Sequence, residues 1–170
     1  NGQTTRPKSE KLRQTCFNIV QHQIENTHFL DLFAGSGAMG IEALSRGALH
    51  ATFIEKDKGA LQCIHENLST LELTKHAKVL AGDALSLLKK LERQKESFNL
   101  IYVDPPYSRN FEELILLFFD SSSLLSKGGS LFIEERFSTK KDPPHLQTLS
   151  IDKERKIGSS NLINYTKCIL

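Results

Sequence analysis

The sequence has 170 residues, a formal net charge of +2 and an apolar content of 39%, which are ordinary values for one globular domain. No apolar run approaches the ~20 residues that a membrane-spanning helix needs, and no charged-then-apolar leader opens the chain. We therefore expect a cytoplasmic protein. Cys16, Cys63 and Cys168 are too scattered for a disulfide framework or a zinc site, so no metal is expected.

Apolar residues alternate between helical and strand spacing along the chain. This spacing predicts an N-terminal helix over about residues 9–24, which Ser9 would cap, and a core over about 28–136. Within the core, the predicted strands cover residues 28–33, 51–55, 78–81, 98–103 and 130–135, and four helices follow at 38–46, after Asp57, after Asp83 and at 111–119. Leu71 and Leu114 are expected on the inward faces of their helices, and residues 127–129 on a turn into the fifth strand. Asp83 would cap its helix and could also contact the adenine of a cofactor. Further strands at 146–151 and 162–169, joined by a turn at 158–161, predict a C-terminal hairpin over about 146–170.

This order of elements predicts one α/β domain over residues 1–170, with a Rossmann-like and mostly parallel sheet of seven strands. Helices would cover both faces of the sheet. The C-terminal hairpin would add an antiparallel strand that a plain dinucleotide fold lacks.

A glycine-rich loop joins the first predicted strand to the following helix. Gly35, Gly37 and Gly40 match the G-x-G-x-x-G spacing, and Glu55 ends the next strand, where its carboxylate can accept hydrogen bonds from a ribose diol. This spacing fits NAD as well as S-adenosylmethionine. The residues predicted to bind the cofactor are Asp31, Phe33, Ala34, Gly35, Ser36, Gly37, Glu55, Lys56, Asp83, Ala84 and Asp104.

Asp31 favours S-adenosylmethionine over NAD. Its carboxylate lies near the end of an otherwise apolar strand, where it would repel a pyrophosphate but would pair with the ammonium of a methionine moiety. The methionine carboxylate would then meet the amides of the glycine loop. The alternative is a buried carboxylate that caps the turn after the strand.

The sharpest feature is the corner formed by Asp104, Pro105, Pro106 and Tyr107, which follows the fourth strand. The prolines have no N–H group, so the corner offers only hydrogen-bond acceptors to an incoming group. Such a corner selects an amino group and can orient it for methyl transfer, while Tyr107 provides a ring on which a base stacks. These residues are therefore predicted to be catalytic.

The residues from Asp31 to Ala48, the corner from Asp104 to Tyr107 and the tail from Lys156 to Tyr165 resemble those of the RsmD-type methyltransferases, which modify guanine N2 in 16S ribosomal RNA. The resemblance implies a class I methyltransferase fold, S-adenosylmethionine as cofactor, and guanine 966 of the assembling small subunit as target. It also implies a monomer and a basic β-hairpin before the present start, so we expect a truncated sequence. The residues predicted to contact RNA are Arg6, Lys8, Arg13, Arg109 and Lys156.

Three other hypotheses remain open from the sequence. The amino group could belong to a DNA adenine or to a protein glutamine, because the corner does not distinguish these from guanine. The glycine loop would also suit an NAD-linked oxidoreductase. A non-catalytic RNA-binding assembly factor would use the basic stretches alone.

Overall fold

A computed structural model describes residues 7–106, 111–136 and 142–169. The helices are α1 (Pro7–Ile19), α2 (Ala38–Ser45), α3 (Lys58–Thr70), α4 (Ala84–Arg93) and α5 (Phe111–Ser121), and a short 3-10 helix covers Thr74–His76. The strands are β1 (His28–Leu32), β2 (His50–Glu55), β3 (Ala77–Ala81), β4 (Phe98–Val103), β5 (Leu125–Arg136), β6 (Leu149–Ile157) and β7 (Ser160–Lys167).

The strands form one seven-stranded sheet in the order β3-β2-β1-β4-β5-β7-β6. Neighbouring strands from β3 to β5 are parallel, whereas β7 runs antiparallel to both β5 and β6. The predicted Rossmann-like sheet with a C-terminal antiparallel hairpin is therefore confirmed. Its parallel strands end at one edge, and the loops after β1, β2, β3 and β4 meet there.

The sheet separates two apolar cores. One contains buried residues of α1, α2 and α3, including Phe17, which pack with Phe53 of β2 and its neighbours. The other contains buried residues of α4 and α5, including Leu88 and Phe119. Both sides of the central strands are thus covered, so β1 and β4 are buried along almost their whole length.

Several predicted boundaries were wrong. Helix α1 runs from Pro7 to Ile19, so Ser9 lies inside the helix and does not cap it; proline suits the first helical position because the missing N–H would have no partner there. The fifth strand starts at Leu125, and the predicted turn at 127–129 is a register irregularity within it. The hairpin strands are shifted, because β6 extends to Ile157 and β7 ends at Lys167.

Two leucines predicted to face the core lie in solvent instead. Leu71 is 53% exposed because α3 ends at Thr70, so it no longer follows the helical face. Leu114 is 50% exposed, and the buried stripe of α5 contains Ile115, Leu116 and Phe119. The buried face of this helix is therefore rotated from the predicted one toward Leu116 and Phe119.

The C-terminal end of α5 is fastened to the hairpin by a carboxylate and an ammonium. Asp120 accepts backbone N–H bonds from Gln147, Thr148 and Leu149 at 2.8–3.1 Å. Lys167 donates to the carbonyls of Phe119, Asp120 and Ser122, which lie in the last turn of the helix and just after it. A cation at this end of a helix is electrostatically favoured.

Candidate active site

A pocket of about 300 Å³ opens where the parallel strands end. Its walls come from the segments that follow β1, β2, β3 and β4, together with the first residue of α5. The residues that line it are Phe33, Ile54, Glu55, Lys56, Gly82, Asp83, Ala84, Asp104, Pro106 and Phe111. Open α/β sheets bind ligands at this edge.

The glycine loop begins with a left-handed residue that is not glycine. Phe33 has a φ of 60°, which ends β1 and turns the chain into the loop. Its ring meets that of Phe111 edge to face, with the ring centroids 5.2 Å apart. The start of the loop and the start of α5 are therefore held together on one side of the pocket.

Gly40 allows helix α2 to pack closely on the sheet. A Cβ atom at this position would lie 2.6 Å from Cζ of Phe53, which is fully buried in β2. The backbone N–H of Gly40 donates to Asp31 Oδ2 at 3.0 Å. The third glycine of the motif thus lets α2 pack against β2 and donates a hydrogen bond to the Asp31 carboxyl group.

Glu55 is joined to the loop by its own hydrogen bonds. Its Oε1 accepts the N–H of Gly35 at 2.9 Å, and its Oε2 accepts the N–H groups of Lys56 and Asp57 at 2.8 and 2.9 Å. These bonds fix the carboxylate at the pocket wall. The N–H of Gly35 therefore already donates to Glu55, whereas the sequence predicts that it donates to a methionine carboxylate.

Asp31 lies beneath the pocket in β1 and is only 2% exposed. Burial raises the pKa of its carboxyl group from 3.8 to about 8, although the Gly40 N–H favours the ionised form. The nearby carboxylates of Asp104 and Glu55 raise this pKa further by repulsion. A cationic ligand among these three acids would relieve that repulsion.

The Asp104 corner lies next to the glycine loop because β4 pairs with β1 in the sheet. Val103, at the end of β4, pairs with Leu32 of β1 on one side and with Ile133 of β5 on the other. Asp104 is exposed and lines the pocket, whereas Pro105 is buried behind it. The acceptor-only corner and Glu55 therefore border the same space.

Asp83 caps α4 at the third wall of the pocket. Its Oδ2 accepts the backbone N–H and the hydroxyl of Ser86, both at 3.0 Å, and these bonds lower the pKa of the carboxyl group. This is the capping role that the sequence had allowed beside adenine recognition. Ala84 follows it and is buried.

Comparison with known proteins identifies the family. The sequence model of the family described as Conserved hypothetical protein 95 matches residues 1–166. YlbH of Bacillus subtilis, described as a candidate rRNA methyltransferase, is 40% identical over 78% of this chain and 72% of its own. Ribosomal RNA small subunit methyltransferase D of Haemophilus influenzae is 32% identical over 93% of this chain and 81% of its own.

The chain belongs to this family, the RsmD-type methyltransferases. Its fold is that of the Rossmann-like class I methyltransferases. The solved structure of Escherichia coli yhhF, described as a candidate methyltransferase, superposes with a TM-score of 0.85 at 31% identity and covers 97% of this chain and 89% of its own. No helix in the described part of the chain has the length and apolar content to cross a bilayer.

The structure of this RsmD-type chain brings some of the predicted site residues together at the pocket and not others. Those at the pocket are Phe33, Glu55, Lys56, Asp83, Ala84, Asp104 and Pro106. Ala34, Gly35, Ser36 and Gly37 form the adjoining loop, in which Ala34 donates to the Ile54 carbonyl and Gly37 to the Ala34 carbonyl. The amides of Ala34, Gly35 and Gly37 therefore already donate within the protein.

The residues predicted to contact RNA are only partly visible. Tyr107, Arg109 and Arg6 lie outside the described residues, and Lys8 lies in α1 without a described side chain. Arg13 lies 3.6 Å from Glu42 of α2, so it is paired within the protein. Lys156 is exposed on β6, at the level of the β5 end.

Sequence reasoning missed three pocket residues: Ile54, Gly82 and Phe111. The sequence pattern predicts Phe111 only as the start of a helix; the signal for its place in the pocket wall is an aromatic residue shortly after the Asp104 corner. Gly82 has a φ of 151° and leaves β3 just before Asp83, which the sequence pattern did not single out.

Proposed function

We propose that this protein transfers a methyl group from S-adenosylmethionine to the exocyclic N2 amine of a guanine in 16S ribosomal RNA, and by family resemblance to guanine 966. It would act in the cytoplasm, as a monomer, during assembly of the small subunit. The observation that carries the proposal is that Glu55 and Asp104 line one pocket at the strand ends, and that the buried carboxyl group of Asp31 lies close enough to interact with both.

The three carboxylates favour a cationic cofactor. S-adenosylmethionine supplies an electrophilic methyl group on a sulfonium, and it also carries an ammonium. Asp31 would accept hydrogen bonds from the ammonium, and Glu55 would receive the ribose hydroxyls while it keeps its backbone bonds. An NAD pyrophosphate would instead bring negative charge to a wall whose acids already repel one another.

The corner supports an amine as the methyl acceptor. Asp104 and the nearby carbonyls can hold the N–H groups of the guanine amine, so that its lone pair faces the methyl donor. Positive charge grows on the nitrogen during transfer, and the Asp104 carboxylate stabilises it electrostatically. Tyr107 would stack on the base, which must be unpaired or flipped to enter.

Methyl transfer from labelled S-adenosylmethionine tests this function directly. The acceptors to compare are unmodified 16S RNA, assembled small subunits that lack the modification, DNA and total protein. Label on guanine N2 of the RNA is the expected result. Incorporation only into DNA or protein would overturn the RNA assignment and favour the adenine or glutamine alternative.

Asp104→Ala should lower turnover at least ~100-fold, because one positioned electrostatic partner is lost in the transition state. Binding of S-adenosylhomocysteine should change little, and this separates chemistry from cofactor affinity in calorimetry. Glu113→Ala, at an exposed acid of α5, is the matched control and should leave turnover unchanged. A near-normal rate in Asp104→Ala would contradict the assigned role.

A further inference from the structure

A second pocket, of about 400 Å³, lies on the α1 face of the sheet and apart from the candidate active site. It is bounded by Ile19 and Val20 at the end of α1, and by strands β5, β7 and β6 beneath. Its size lies within the range of small-ligand sites. None of the residues that line the active-site pocket lines this one.

The floor of this pocket contains a buried amide with an unused acceptor. Asn164 is 2% exposed, and its Oδ1 accepts no hydrogen bond from any residue that the structure describes. Its Nδ2 lies 3.5 Å from Asp152 Oδ2. If the amide were turned over, Asn164 Oδ1 would face Asp152 Oδ2, and the two oxygens would repel each other. The Nδ2 group therefore faces Asp152, and Oδ1 is the atom without a donor among the described residues. A buried acceptor without a donor is costly, and a ligand N–H would satisfy it.

A β-bulge brings a second acceptor beside the first. The pairing of β6 with β7 shifts between Ile151 and Lys153, and Asp152 is the inserted residue. Asp152 therefore lines the pocket next to Asn164 instead of continuing the alternation of the edge strand. The floor thus presents a carboxylate and an amide oxygen to one guest.

One cation lines the pocket beside these acceptors. Lys153 pairs with Asn164, so its side chain belongs to the α1 face of β6. Arg155 pairs with Leu162 on the same face, outside the lining of the pocket. A cation next to two acceptors favours a guest that has N–H donors and carries a phosphate. Ile19, which is partly exposed at the end of α1, adds apolar surface against which a flat ring can lie.

We propose that this pocket binds an unstacked guanine nucleotide of the substrate RNA, a proposal that rests on the RNA methyltransferase function. Guanine offers adjacent N1–H and N2–H donors to Asn164 Oδ1 and Asp152, and Lys153 meets its phosphate. Asn164 pairs with Phe132, which pairs with Tyr102, two residues before Asp104. Strand spacing therefore separates the two sites by roughly 12 Å at the backbone, and one RNA strand can reach both.

Titration with GMP tests the pocket in the full chain with S-adenosylhomocysteine present. Backbone amide resonances of residues 150–153 and 164–166 should shift. Asn164→Leu should weaken GMP binding at least ~10-fold and leave the melting temperature unchanged or higher, because it replaces an unsatisfied acceptor with an apolar group of similar size. Lys153→Gln should lower RNA affinity and reduce the salt slope by about one.

Lys78→Gln is the matched control, since Lys78 lies on β3, the opposite edge strand of the same sheet. It should leave GMP binding unchanged. The pocket proposal is overturned if GMP leaves the resonances of 150–166 unchanged, or if Asn164→Leu binds GMP as well as the parent. GMP binding here without methyl transfer to any RNA would support the pocket and overturn the proposed function instead.

Discussion

The surroundings of Asp31 have opposite effects on the charge of its carboxyl group. The Gly40 N–H favours the carboxylate, whereas burial and the repulsion of Asp104 and Glu55 favour the neutral acid. Burial and repulsion outweigh the hydrogen bond, since the pKa of Asp31 rises to about 8. Both the capping interpretation and the ligand interpretation of this residue are therefore compatible with the structure.

Cofactor binding should release close to one proton at pH 7. Asp31 is largely neutral at that pH, and the ammonium of the ligand would favour its ionised form. Calorimetry of S-adenosylhomocysteine binding in buffers of different ionisation enthalpy measures this number. Asp31→Asn keeps an oxygen for the Gly40 N–H but should release no proton. Equal proton release by the two proteins would exclude Asp31 as the source.

The same variant should change how stability depends on pH. The folded pKa of Asp31 lies above its ordinary value of 3.8, so this group costs stability as pH rises from about 4 to about 8. The cost approaches ~1.4 kcal/mol per pH unit. Asp31→Asn should therefore gain stability over the parent through this range and hold a constant advantage above it, as urea unfolding at several pH values would reveal.

Gly40 is required for close packing of α2, whereas Gly35 is required for a left-handed backbone in the loop. Double-mutant cycles distinguish these two effects. Gly40→Ala should cost ~1–3 kcal/mol because its Cβ meets the Phe53 ring, and Phe53→Leu should recover part of that loss. Gly35→Ala has no atom within 4 Å of its Cβ and should cost ~1–2 kcal/mol through its φ of +57° alone.

Urea unfolding of the single and double variants measures the two couplings. We expect ~0.5–3 kcal/mol between positions 40 and 53, and additivity within ~0.5 kcal/mol between positions 35 and 53. Additive effects at positions 40 and 53 would mean that α2 moves away from β2 to admit the methyl group.

At the scale of elements, Asp120 determines how the hairpin joins α5. Its carboxylate accepts the N–H groups of three successive residues before and at the start of β6. These hydrogen bonds outweigh burial and lower its pKa from 3.8 to about 2. Asp120→Ala should lower the free energy of unfolding by ~2–3 kcal/mol at pH 7, because these N–H groups lose a charged acceptor.

Asp142→Ala, at an exposed acid in a loop, is the control and should change stability by less than ~0.5 kcal/mol. The depressed pKa of Asp120 means that its stabilisation is complete above about pH 4 and is lost as pH falls toward 2. The difference between the parent and Asp120→Ala should shrink over that range. A difference that is independent of pH would assign the effect to packing.

Element types could be predicted from apolar periodicity, whereas several ends could not. The end of α1 at Ile19 was missed because Val20 and Ile24 continue the apolar spacing and remain buried outside the helix. The turn predicted at 127–129 was wrong because its glycines sit in an irregular part of β5 instead of ending it. Periodicity reports burial, and burial does not specify where helical hydrogen bonds stop.

The order of the strands in the sheet explains why the candidate active site could be predicted from the sequence. Parallel strands end at one edge, so the acids at the carboxyl ends of β1, β2 and β4 must lie close together once β1 lies between β2 and β4. The second pocket follows no such rule. The contact of Asn164 with Asp152 depends on a bulge in β6, and nothing in the alternation of that strand indicates where an extra residue enters.

The candidate active site and the second pocket also differ in the charges that surround them. The edge that carries the candidate active site has Asp31, Glu55, Asp83 and Asp104 in or beneath it against Lys56, whereas β6 carries Lys153, Arg155 and Lys156 against Asp152 and Glu154. Under the proposed function, RNA phosphates would contact the cations of β6, and only an unpaired base would enter the acidic edge. A cofactor that stays at this edge should be cationic and not a polyanion.

Ligand-dependent melting tests this last point on the intact chain. S-adenosylhomocysteine carries an ammonium and no phosphate, so at about 100 times its Kd it should stabilise the fold by ~2.7 kcal/mol. For a chain of this length that is a rise in Tm of about 5–10 °C. NADH at the same concentration should leave Tm unchanged, because its pyrophosphate would meet the carboxylates of Glu55 and Asp104. A rise with NADH alone would support the oxidoreductase hypothesis, since only a ligand that prefers the folded state can shift this equilibrium.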